Sequence, residues 1–160
     1  MRYGERSDPR NSGTGPTNGK RPAETPKPPE RPPRSMTEYL VGASSVHVTA
    51  AAADYLQDRL DPSEDSVVVV GVREPDAPSR DAGDAANVAR SRLAAVMPTT
   101  ETRDGDPVAE LLAAVDDHGP DVVVLGANRG TEGAGGVGST VTNLLARVNR
   151  PVVVVPLPDL

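Results

Sequence analysis

The 160-residue chain contains no cysteine, tryptophan or phenylalanine, and no isoleucine. Without cysteine there is no disulfide, no thiolate metal site and no cysteine nucleophile, which points to a reducing compartment. No run approaches the ~20 consecutive apolar residues of a membrane span, and the N-terminus lacks the apolar middle of a secretory signal. The expectation is a soluble, cytoplasmic protein. At this length the chain has room for one domain of ordinary size and is not a tandem enzyme.

Lysine is nearly absent too, occurring only as Lys20 and Lys27. Formal charge divides unevenly, at +4 over residues 1–35 and −10 over residues 36–160. An acidic body repels nucleic acid and anionic membrane, so neither is an expected partner. A lysine-free, Asp-rich body that uses Arg for every positive charge and Val in place of Ile resembles proteins of salt-loving organisms. The expected source is a halophilic archaeon, although GC-rich coding would give part of the same pattern.

Residues 1–35 hold eight prolines and no Val, Leu, Ile or Phe. Such a segment cannot bury enough apolar area to offset an ordering entropy of ~1–2 kcal/mol per residue, so it is expected to be a disordered Pro-rich tail. Lys27 to Pro33 would suit a polyproline helix for a groove-type partner, or be a solvated extension. Met36 opens Met-Thr-Glu-Tyr-Leu-Val, which would itself serve as a chain start. The folded domain is expected over residues 36–160.

From Tyr39 the pattern changes. Tyr39 to Val41, Ser66 to Val72, Val122 to Leu125 and Val152 to Val155 are apolar on both faces, as strands of a helix-covered parallel sheet are. Thr99 to Thr102 is a fifth, polar strand, placed at an edge by Pro98. Between the strands, Val48, Ala52, Tyr55, Leu56 and Leu60 form one helical stripe after Ser44 or Ser45 as N-cap. Val108, Leu111, Leu112 and Val115 form another, bounded by Pro107 and Gly119. Val141, Leu144, Leu145 and Val148 form a third after Ser139 or Thr140, and Asp81 to Leu93 is a weaker, Ala-rich helix. The order β-α-β-α-β-α-β-α-β predicts an α/β fold, a five-stranded parallel doubly wound sheet in the order 3-2-1-4-5 with helices on both faces. The loops after the first and fourth strands then overhang one crevice, where such folds bind ligands.

The densest chemical signal lies in that second loop, with six glycines in the thirteen residues Gly126–Gly138. Backbone without Cβ atoms lets N–H groups converge on an anion, and a helix N-terminus adds about half a positive charge. Phosphate is the natural guest. Ser139 and Thr140 offer hydroxyls and Arg129 a positive charge, unless Ser139 merely caps the helix and Arg129 is a solvated side chain. The loop is neither a P-loop, since no Gly-Lys-Ser/Thr occurs, nor the dinucleotide fingerprint, which belongs after the first strand.

The spacing Gly126-x3-Gly130-x7-Gly138-Ser139 resembles the universal stress protein family, whose nucleotide-binding members carry Gly-x2-Gly-x9-Gly-Ser/Thr between the fourth strand and the last helix. Arg103-Asp-Gly-Asp-Pro107, Asp121-Val-Val-Val-Leu-Gly126 and Arg150-Pro-Val-Val-Val-Val-Pro156 extend the resemblance over residues 37–157. It implies a nucleotide between the Gly42–Ser45 loop and the glycine loop, with Val72 near the adenine and Leu125 lining the pocket beside Gly126. It also implies dimerisation through the final strand. Pro151 to Pro156 supports the same homodimer as an apolar edge with only Pro158, Asp159 and Leu160 left to cover it. Two departures matter. The glycine spacing differs, and Ser44 stands where nucleotide-binding members have an Asp that contacts the nucleotide.

Other candidates are weaker. His47 falls in a first helical turn beside the crevice, and His118 in a last turn where a cation suits the helix dipole. The two make no recognisable zinc site, and no metal site is expected. Asp116-Asp117 and Asp104-Gly-Asp106 read as solvated acidic surface rather than paired carboxylates. No Gly-x-Ser-x-Gly elbow occurs, and no catalytic residues are expected, although slow ATP hydrolysis stays open. The sequence therefore predicts a dimeric regulatory or interaction module of the universal stress type with a degenerate nucleotide site, open to other protein partners. The alternative is an ATP-binding member, with Mg²⁺, using the Gly126 to Ser139 loop.

Overall fold

The computed structural model describes residues 36–76, 80–128 and 136–157, so the expectation for the Pro-rich segment lies outside it. The strands are β1 (Glu38–Ala43), β2 (Ser66–Arg73), β3 (Thr99–Asp104), β4 (Val122–Gly126) and β5 (Val152–Val155). The helices are α1 (Val46–Gln57), α2 (Arg80–Arg92), α3 (Pro107–His118) and α4 (Ser139–Leu145), with a 3-10 turn at Ala94–Val96. All pairings are parallel and the strand order is β3-β2-β1-β4-β5, as the sequence predicts.

The all-Val runs follow from burial on both faces. Side chains alternate across a strand, so Val67 and Val69 pack with α1 and α2 while Val68 and Val70 pack toward α3 and α4. Two cores result. One joins Val41, Val124 and Val155 to Ala52, Leu56, Ala85 and Ala89, and the other joins Leu40, Val123 and Leu125 to Leu111, Val115 and Leu144. The weak pattern of the second helix now has a reason. Its buried positions are Ala82, Ala85 and Ala89, a small-residue stripe at helical spacing that lies against α1.

Capping differs from expectation in one place, at α4. Ser45, one of the two expected residues, caps α1, its Oγ accepting from the Val48 amide at 3.3 Å. Asp106 caps α3 and Gly119 ends it with φ 62°, as a left-handed C-cap should be. The cap of α4 is Gly138, whereas Ser139 and Thr140 are already helical. Leu60 and Val148 fall beyond their helices, yet both stay on the apolar stripe. Their amides donate to Leu56 and Leu144 at 2.9 and 2.8 Å, extending one more turn over the core. Leu145 leaves the stripe and is 48% exposed.

At the amino end of the sheet, carboxylates pin the incoming chain. Asp65 accepts from the Thr37 and Asp61 amides at 3.2 and 2.9 Å, and Asp121 accepts from the Glu38 amide at 2.9 Å. The carboxyl end is left for function. No helix among the described residues is long and apolar enough to cross a membrane.

Edge strand β3 is tied to α3 by side chains. Glu101 accepts from Arg103 and lies 3.0 Å from His118 Nε2, while Arg103 also reaches Asp117 at 2.8 Å. Burial raises the Glu101 carboxyl, but its hydrogen bonds to Arg103 and His118 outweigh that and hold it below the ordinary value. A carboxyl lowered by folding stabilises the fold when ionised. That contribution is complete above about 4.5 and is lost as pH falls through the lowered value. We expect Glu101→Gln to flatten the acid limb of a pH-dependent unfolding curve while leaving strand content unchanged by circular dichroism. An acid limb identical to that of the parent protein would show that the network carries no linkage.

Candidate functional site

At the switch point β1 pairs with both β2 and β4, and the chain leaves β1 toward one face and β4 toward the other. The resulting cleft has a volume of about 450 Å³, within the range of small-molecule sites. Its floor is Gly42, Val70, Leu125 and Gly126, its walls include Val48 of α1, Leu111 of α3 and Val141 of α4, and Val72 lies at the β2 end.

Eight of the ten residues singled out from the sequence meet here: Gly42, Ser44, Val72, Leu125, Gly126, Gly138, Ser139 and Thr140. Arg129 and Gly130 lie outside the described residues. Neither histidine is among the described lining residues, since His47 is exposed and His118 pairs with Glu101.

The glycines do different work. A Cβ on Gly42 would come within 2.7 Å of Leu125 Cδ2, and one on Gly126 within 2.5 Å of Val48 Cγ1. At Gly126 the β-branched Val48 fills the space a side chain would need, whereas at Gly42 it is the end of the Leu125 side chain that would have to move. Gly138 has φ −69°, and among the described residues a Cβ there would meet Ala127 O and Asn128 Cα, at 3.6 and 3.7 Å. Neither its conformation nor the described packing requires glycine at that position. The glycine loop is closed at its base by a 2.7 Å hydrogen bond from the Gly138 amide to Ala127 O.

Ser44 is exposed at the cleft mouth, just outside the first turn of α1, while the Ser45 hydroxyl is occupied by capping. The α1 N-terminus therefore presents its positive end beside a hydroxyl rather than a carboxylate. Among the described residues no group of three or more carboxylate or imidazole side chains is placed to hold a metal ion.

The β2 end carries charge that the sequence reading did not assign. Arg73, Glu74 and Asp81 line it, and Arg73 makes a two-point contact with Asp104 at 2.8 and 3.0 Å. The signal was Arg73 and Glu74 directly following Val72, but its meaning depends on the β2–β3 register, which places Arg73 opposite Asp104.

The universal stress protein family profile matches residues 43–156. The chain belongs to that family. Among solved structures, the universal stress protein UspA from Lactobacillus plantarum is 21% identical, with 76% of this chain and 98% of that one covered at a TM-score of 0.58. A universal stress protein in complex with cAMP is 24% identical, with 78% and 99% covered at 0.53. An Arabidopsis thaliana family protein with AMP bound is 17% identical, with 76% and 92% covered at 0.53. At these identities the likeness is one of fold. No curated protein sequence matches the chain at a significant level.

We expect Gly126→Ala to destabilise this universal stress protein by about 1–3 kcal/mol, because Val48 is β-branched, buried and unable to yield. Val48→Ala in the same chain should recover part of the loss in chemical denaturation. Full stability of the single variant would mean that the floor is looser than its contacts indicate.

Proposed function

We propose that the chain is a dimeric, cytoplasmic regulatory module of the stress response. In this reading its cleft is a nucleotide site altered from the ATP-binding pattern, and it signals by contact with other proteins rather than by catalysis. The observation that carries the nucleotide reading is Gly138. Among the described residues neither conformation nor packing needs glycine there, which favours close approach of a ligand, with the Ser139 and Thr140 hydroxyls beside it. The AMP and cAMP bound to two proteins of the same fold favour the same class of guest. Ser44 in place of a carboxylate, with no described cluster of metal ligands nearby, favours weakened binding of ATP with Mg²⁺ over the ATP-binding alternative. In this reading any hydrolysis of a bound nucleotide is slow and incidental.

Dimerisation is argued from β5. Pro151 O accepts from the Val123 amide of β4 and Val155 O from the Ala127 amide just beyond it, both at 2.9 Å, so by alternation the N–H and C=O groups of Val152 and Val154 face the outer edge. An apolar strand with that edge pairs readily with a second copy. The acidic, lysine-free body suits high salt, which screens its self-repulsion.

Calorimetric titration of the full chain with AMP in high salt tests the site. Binding that Gly138→Val abolishes in a folded protein supports the reading, and an unchanged affinity refutes it. Light scattering tests assembly separately. The parent chain should have twice the monomer mass, and Val154→Pro, which removes an outward N–H, should halve it. A monomeric parent chain overturns the dimer.

A further inference from the structure

Strand β2 outruns β1 on the side of the cleft. Its pairing with β1 stops at Gly71 opposite Ala43, whereas its pairing with β3 continues through Val72 opposite Arg103 and Arg73 opposite Asp104. The last two residues of β2 therefore belong to a ladder on one side alone, and both line the cleft. The Gly105 amide donates to Arg73 O at 3.0 Å, so the Arg73 carbonyl faces β3 and, by alternation, that of Val72 faces the cleft side.

A strand end paired along one edge opens readily unless side chains hold it. Here they do. Asp104 takes the Arg73 guanidinium in a two-point contact at 2.8 and 3.0 Å. Asp104 is itself anchored, because the chain turns at Gly105 with φ 144°, a conformation that favours glycine, and Asp106 then caps α3 by accepting from the Ala109 amide at 2.9 Å. A line of contacts thus runs from the start of α3 to the cleft wall, although Asp104 is not among the described lining residues.

Resting on the nucleotide reading above, we propose that Asp104 is a positioning residue for the ligand, fixing through Arg73 the end of β2 against which the nucleoside half lies. With phosphate at Gly138–Thr140 on the β4 side, the base falls on the β2 side, two strand spacings or ~10 Å away, at Val72. A wall ordered before the ligand arrives needs no ordering on binding, and Asp104 supplies that order.

The test is calorimetric titration of the full chain and its variants with adenosine and AMP at one salt concentration. Asp104→Ala and Arg73→Gln should each weaken both ligands by about fivefold, near the upper worth of an exposed ion pair. The loss should be the same for adenosine as for AMP, because the phosphate end is untouched. Combining the two substitutions should weaken binding no more than either alone. Exchanging the charges, with Arg73→Asp and Asp104→Arg together, keeps the net charge and should restore AMP affinity to within about twofold of the parent. Both side chains are exposed, so the midpoint of chemical denaturation should barely move in any variant.

Unchanged affinity in Asp104→Ala overturns the proposal. So does a loss for AMP that adenosine does not share, or adenosine that fails to bind where AMP binds, since either places the effect at the phosphate. A charge exchange as weak as the single variants overturns it too, as does a fall in denaturation midpoint that accounts for the lost affinity. Failure of both ligands to bind the parent chain overturns the nucleotide reading itself, and the positioning role with it.

Discussion

The parallel pairing of β1 with β4 is the constraint on which the carboxyl end of this molecule depends. Because β1 also pairs with β2, the crossovers leave the middle of the sheet in opposite directions, α1 onto one face and α4 onto the other. Their N-terminal ends part above the strands, and a crevice opens from the topology itself. Its depth is then set by side-chain size. Gly42 admits the Leu125 side chain and Gly126 admits Val48, so helix and strands close beneath the crevice as a dense floor.

That packing separates roles that composition alone merges. In sequence, Gly42, Gly126 and Gly138 look like one glycine-rich device for approaching an anion. In space, the first two lie against floor side chains, whereas the third has an ordinary φ and meets no described side chain. The distinction needs neighbours from other elements, Val48 and Leu125, and no local pattern contains them. The topology was legible because a Val run apolar on both faces has few physical homes, and because Pro98 and the polar Thr99–Asp104 segment suit only an edge. The Ala82, Ala85 and Ala89 stripe was harder to read, since small residues give little hydropathic contrast even when fully packed.

Charge was the least legible property. Arg73, Asp104, Glu101, Arg103, Asp117 and His118 look like scattered surface residues along the chain. The β2–β3 register turns the first two into a pair at the cleft, and the packing of α3 over β3 gathers the rest into a network. Contacts of this kind join residues 14 to 31 positions apart, so they are set by strand alignment and not by local propensity. The sequence reading had instead placed the cation on Arg129, within the same loop as its phosphate cradle.

The two edges of the sheet are unlike, and the difference bears on how a ligand and a second subunit would communicate. At β3 the charged Glu101 and Arg103 and the preceding Pro98 discourage edge pairing, whereas β5 offers four valines. The open edge is also the one joined to the cleft. Ala127 donates to Val155 O at 2.9 Å and accepts from Gly138 at 2.7 Å, so one residue connects the last strand to the base of the glycine loop. A ligand that favoured one arrangement of that base would favour the β5 geometry that goes with it. By reciprocity, a partner strand that favours that geometry favours the ligand. Were a second copy to pair there, the base of the cleft and that edge would be linked through the backbone of three residues, Gly138, Ala127 and Val155.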